Sequence, residues 1–167
     1  ETIENKSTGV IKIEAAITTT DKNHFHGGCV GRSQEASGTI KTATNRGSVT
    51  TSTALGGGTL YLGGVVGEIT ATVTTANNHG AITVAGSHTG TSYIGGISGK
   101  TTAAVTTANN YGAIDVSSNA DGGKRYIAGI APQLYGGGTG LTNHATGDIT
   151  TNLQKGSNTY VSGICGF

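Results

Sequence analysis

The sequence predicts an all-β protein, a β-solenoid of about five coils with three short parallel strands in each. Three observations carry this expectation. One motif returns five times in phase, apolar and polar residues alternate within the copies, and the composition is too poor in bulky side chains for a thick core. Gly accounts for 30 of 167 residues, only 5% are aromatic and Trp and Met are absent. Such a chain either stays disordered or buries small side chains in a thin core. Disorder goes with high net charge, and here the formal net charge is +1.

The first line of the repeat reads aromatic-x-small-Gly-apolar-x-Gly. Its copies are FHGGCVG at Phe25, YLGGVVG at Tyr61, YIGGISG at Tyr93, YIAGIAP at Tyr126 and YVSGICG at Tyr160. They recur at roughly 32 to 36 residues, the spacing of stacked repeats. The copies end near 31, 67, 99, 132 and 166, so residues 1–167 are read as a single repeat domain. The second line reads x-Gly-x-Ile/Val: TGVIKI at Thr8, RGSVTT at Arg46, HGAITV at His79, YGAIDV at Tyr111 and TGDITT at Thr146. The third precedes it: TIKTATN at Thr39, TVTTANN at Thr72, AVTTANN at Ala104 and a degenerate GLTNHAT at Gly140.

Each line alternates with period two and is rich in β-branched residues, which describes strands. The Gly and Asn clusters between them describe turns. In the second line Ile82 and Ile114 share an inward face with Val49, Ile149 and Ile11, while Thr50, Thr83, Asp115 and Thr150 face water. Stacked coils turn such positions into ladders, Ile on Ile. Gly64, Gly67, Gly96 and Gly99 close the first line, and Asn45, Asn78 and Asn110 precede the Gly of the second. All are expected to be structural, the Asn as a hydrogen-bonded column that also satisfies turn backbone. Pro132 replaces the last Gly of the fourth copy.

GVVG, GISG, GCVG and GICG, with the preceding small residue and the downstream Asn-x-Gly-x-Ile, resemble the GLUG repeat over nearly the whole chain. The resemblance implies a β-solenoid stalk or spacer of extracellular or cell-surface proteins, adhesin-like ones among them, rather than an active site.

A search for chemistry returns little. No H-E-x-x-H, nucleophile elbow or phosphate-loop signature is present. No enzyme activity, cofactor or metal is expected. His24 and His26 lie on one side of a strand and are read as solvent-facing. Asp115 and Asp148 are a thin basis for glycoside chemistry. Asp121, Lys124 and Arg125 read as a charged corner loop. Outward Thr columns raise a second function, binding of ice or a glycan. The outward pairs are Thr39 with Lys41, Thr72 with Thr74 and Ala104 with Thr106, so charges and an Ala interrupt them. Asn5-Lys6-Ser7 is one glycosylation sequon. The near-zero net charge gives nucleic acid or an anionic membrane little to hold, and no stretch is apolar enough to span a bilayer.

Repeat motifs run almost from end to end, and the chain starts at Glu1 without Met. The expectation is a processed chain or a slice of a longer array, with solenoid ends able to self-associate by stacking head to tail. Cys29 and Cys165 read as buried small hydrophobes or as a disulfide, within or between chains, although their motif phases differ by one and point them nominally to opposite faces. The functional expectation is a non-enzymatic structural domain of an extracellular or surface protein: rigid stalk, adhesin segment or filament subunit.

Overall fold

A computed structural model describes residues 1–13, 22–33, 38–52, 56–117, 123–152 and 158–165, and no helix occurs among them. The strands stack as a β-solenoid in four parallel sheets. Sheet 1 joins β1 (Thr2–Asn5), β5 (Thr39–Asn45), β9 (Thr72–Asn78), β13 (Val105–Asn110) and β17 (Gly138–Asn143). Sheet 2 joins β2 (Ile11–Ile13), β6 (Val49–Thr51), β10 (Ile82–Val84), β14 (Ile114–Val116) and β18 (Ile149–Thr151). Sheet 3 joins β3 (Asn23–Gly27), β7 (Thr59–Gly63), β11 (Thr91–Gly95), β15 (Lys124–Ala128) and β19 (Asn158–Ser162). Sheet 4 joins β4 (Val30–Arg32), β8 (Val66–Ile69), β12 (Ser98–Thr101) and β16 (Gln133–Leu134). Among the described residues four coils thus carry four strands, and a fifth carries three plus a single parallel bridge from Ala131 to Cys165.

The expected three strands per coil become four because the aromatic line is not one strand. Its Gly-Gly step turns the chain, so Tyr61 and Val66 stand in different sheets. The other two lines are single strands, in the register the repeats dictate. Ile82 pairs with Val49 and Ile114, and Tyr93 with Tyr61 and Tyr126. β16 is only two residues long; it follows Pro132, which has no N–H to give to a ladder.

Two thin cores run along the stacked coils. One lies between sheets 2 and 3 and stacks Leu60, Leu62 and Ile94 against Val49, Ile82 and Ile114. The other lies between sheets 1 and 4 and stacks Val65, Val66, Ile69 and Ile97 against Val73, Ala76 and Ala108. Sheets 3 and 4 touch where Gly packs on backbone. A Cβ on Gly99 would stand 2.7 Å from the Leu62 nitrogen and 2.8 Å from the Tyr61 Cα. Those distances are too short for a side chain, so the Gly at 67 and 99 are required by close approach.

Candidate functional site

The Asn of the third line form the central feature. Asn5 donates to Asn45, Asn45 to Asn78, Asn78 to Asn110 and Asn110 to Asn143, at 2.8–2.9 Å from Nδ2 to Oδ1. Each Nδ2 of Asn45, Asn78 and Asn110 also donates to the carbonyl of the Gly two residues on, at 2.7–3.0 Å. The N–H of Gly47 and Gly80 donates back to Oδ1 of Asn45 and Asn78. Asn45, Asn78 and Asn110 are fully buried, so every one of these bonds replaces water that cannot reach the site. A Cβ on Gly64 would fall 2.5 Å from the Asn78 Cγ. Gly64 and its counterpart Gly96 therefore keep the space the ladder occupies. The repeat motif announces three rungs, Asn45, Asn78 and Asn110; Asn5 and Asn143 add two more. Asn5 is also the sequon residue, and its amide is committed to the ladder.

Outside the cores, aromatic rings stack from coil to coil. Phe25, Tyr61, Tyr93, Tyr126 and Tyr160 form one column, with centroids 4.9–5.2 Å apart and planes within 9°. His79, Tyr111 and His144 form a shorter one. Most ring faces are covered by a neighbouring ring, so these columns offer mainly edges rather than platforms. Beside the longer column runs an ion ladder. Glu68 bonds Arg32 at 2.6 Å and Lys100 at 2.9 Å, and the two cations lie over the Phe25 and Tyr61 rings. The Glu68 bond holds the Lys100 ammonium above its ordinary range. Glu68 is buried, not the outward variable position its place between repeats suggests.

Three residues read as solvent-facing point inward. His24 stands in the column of Leu60 and Ser92, and His26 in that of Leu62 and Ile94. Period two puts both on the inner face, because Phe25 between them joins the outer ring column. Burial and the neighbouring His24 lower the His26 pKa. Arg125, expected in a corner loop, is 1% exposed, and its guanidinium donates to the His88 carbonyl at 3.3 Å. Lys124 is exposed, and Asp121 lies outside the described residues. His88, which the sequence did not single out, is buried with its Nδ1 2.8 Å from the Ser92 hydroxyl. Burial, then Arg125 and His24, push its pKa down to about 4.

The outer face of sheet 1 departs from simple alternation. Val73 and Ala76, three residues apart, both face the core, so Thr74 and Thr75 both face out. Register then aligns Thr74, Thr106 and Thr139, next to Thr42, Thr75 and Thr107, next to Thr44, Asn77, Asn109 and Thr142. Asn109 donates to Asn77 at 3.0 Å. Lys41, Glu4 and Arg46 charge coils 1 and 2, whereas the three columns carry no charge in coils 3 to 5. Simple alternation carried through the bend shows only Thr74 and Thr106 of this array as outward, because it does not contain the extra outward residue. Asp115 and Asp148 are both exposed, two positions out of register: Asp115 pairs with Thr150.

Cys29 and Cys165 are free thiols in coils 1 and 5. Four coil steps separate them, about 19 Å at the spacing of paired strands, which rules out a bond within one chain. Their expected opposite facing is overturned. Cys29 shares a column with Val65, Ile97, Ile130 and Ile164, and Cys165 shares the next one with Val66, Ser98 and Ala131. Val65 and Val66 are both fully buried in one core, because the strand starts on a corner where a single carbonyl, that of Ile97, accepts from both N–H groups. A cavity of about 370 Å³ opens near this corner in coils 1 and 2, lined by Ile3, Val30, Ile40 and Ala71 among others.

Among the described residues no group of three His, Cys, Asp or Glu stands ready to hold a metal ion. The fold and its ladders define a β-solenoid repeat protein. No family model, curated protein or solved structure matches this chain.

Proposed function

We propose that the protein is a non-enzymatic structural domain of an extracellular or cell-surface protein, similar to GLUG repeats, serving as a rigid stalk, adhesin segment or head-to-tail filament subunit. The observation that supports this reading is the commitment of its distinctive side chains. The Asn ladder, the ring column and the core between sheets 1 and 4 run through all five coils, and the second core through coils 2 to 5. They join each coil to the next and are spent on stiffness. Surface biotinylation of the cells that make the protein tests the location: labelling of the intact cell's chain is expected, and a chain reached only after lysis would overturn it. Small-angle scattering of the purified chain tests the rod: an elongated particle is expected, and a flexible or spherical one would refute it.

A second reading is ligand binding on the outer face of sheet 1, favoured by its uncharged Thr and Asn columns in coils 3 to 5. Ice or a neutral glycan is the class such a face suits. Thermal hysteresis and glycan-array binding, each abolished by Thr106→Arg, are the expected results. Absence of both from the wild-type chain sinks this reading.

A further inference from the structure

The two cysteines, too far apart within a chain, become neighbours if coil 1 of one copy stacks on coil 5 of another. We propose that the protein assembles head to tail and that a disulfide between Cys165 of one copy and Cys29 of the next locks the joint. This rests on the structural reading above and names the partner as a second copy of the chain.

The geometry follows from the coil-to-coil contact already repeated inside the molecule. At each step two successive N–H groups donate to one carbonyl of the coil above. Val65 and Val66 donate to Ile97, Ile97 and Ser98 to Ile130, and Ile130 and Ala131 to Ile164. Continued by one coil, Ile164 and Cys165 donate to the Cys29 carbonyl of the next copy. Cys165 then lies under Val30 and diagonal to Cys29, with Cα atoms about 6 Å apart from strand spacing and rise. Disulfides span that distance, and both side chains face the same core.

Independent features of the two faces match. Val161 ends a column whose members Leu62, Ile94 and Ile127 are at most 1% exposed, yet it is itself 51% exposed. Stacking places Val161 below His26 of the next copy, which covers it. The cavity beside Val30 belongs to the other core, on the side of the Cys165 column. The buried Nε2 of His24 in coil 1 and the buried hydroxyl of Thr159 in coil 5 have no hydrogen-bond partner, and stacking places Thr159 directly below His24 of the next copy. The Asn ladder runs in one direction throughout, so the Asn143 amide meets Asn5 of the next copy in the donor-to-acceptor sense of every internal rung. The joint is heterologous and does not close on itself, so it extends.

Oxidation proceeds by exchange with a small disulfide such as oxidised glutathione. The Cys165 thiolate attacks it, releasing one glutathione thiolate and leaving a mixed disulfide. The Cys29 thiolate of the next copy then attacks the Cys165 sulfur and expels the second glutathione. Two protein thiols become one disulfide and oxidised glutathione becomes two reduced molecules.

The test is incubation of the full chain with oxidised glutathione, followed by non-reducing electrophoresis. Wild type is expected to give a ladder of dimers, trimers and higher multimers that reducing agent collapses. Cys29→Ser alone and Cys165→Ser alone should each stay monomeric, while their equimolar mixture yields covalent dimers and nothing larger. A monomeric wild type at high protein concentration overturns the proposal. So do homodimers formed by either single variant as readily as by the mixture, since that is collision chemistry. Circular dichroism of the two variants establishes that both are folded. Scattering by the reduced monomer reports the rod independently, so the joint can fail while the stalk reading stands.

Discussion

Asn78 shows how much a single side chain carries. Asn78→Ala removes the acceptor of the Asn45 amide, the donor to Asn110 and both bonds to the Gly80 backbone. Buried groups left unpaired cost about 1–3 kcal/mol each, so a loss of about 3 kcal/mol or more is expected in urea denaturation. Asn77→Ala, one residue away on the outer face, should change stability by under about 0.5 kcal/mol. Equal effects would mean the ladder is not a stabilising unit. His88 makes a pH prediction. Its folded pKa is about 4 against 6.5 in the unfolded chain, so the unfolded state binds the extra proton first on acidification. The neutral side chain's contribution is complete above pH 6.5 and is lost as pH falls towards 4. The urea midpoint should drop over that window, and His88→Gln should flatten the drop relative to wild type. An unchanged slope in the variant would assign the acid sensitivity elsewhere.

Between neighbouring strands, the glycines at the contact of sheets 3 and 4 decide the packing. Gly99→Ala drives a methyl into the backbone of Tyr61 and Leu62 and should cost about 3 kcal/mol, the range of core overpacking. Gly163→Ala meets no atom within 4 Å and should be silent. Thermal denaturation of the pair separates a packing requirement from a general intolerance of Ala in Gly-rich turns. The motif announced Gly99 by repetition, yet not its reason. Within YIGGISG the period-two pattern runs straight across Gly95-Gly96, where the chain turns from sheet 3 into sheet 4. Alternation reports side-chain facing along a strand and says nothing of a corner. For the same reason alternation alone points Cys29 and Cys165 to opposite faces, although the corner turns both columns toward one core.

Along the rod, stability should follow position. Each coil contacts only its neighbours, so interior coils have two interfaces and end coils one. Amide exchange should be slowest in coil 3, at Val73, Ile82 and Ile94, which are fully buried. It should be fastest in coil 5, where Val161 and Tyr160 are about half exposed. Uniform protection at low concentration would contradict nearest-neighbour stacking. Protection of coil 5 that rises with protein concentration would be the signature of the head-to-tail joint.

By itself the sequence determined the solenoid, its five-fold repetition, the inward Ile columns, the Asn rungs and the required glycines. Repetition in phase is enough for that, because parallel stacking gives equivalent residues equivalent neighbours. The tertiary structure alone decided the fourth sheet, the inward facing of His24, His26 and Arg125, the burial of Glu68 and the shared face of the two cysteines. Each of these depends on where the chain turns within a coil. Turning is set by backbone packing of one sheet on another, through contacts between positions far apart in the motif, and a one-dimensional pattern does not contain it.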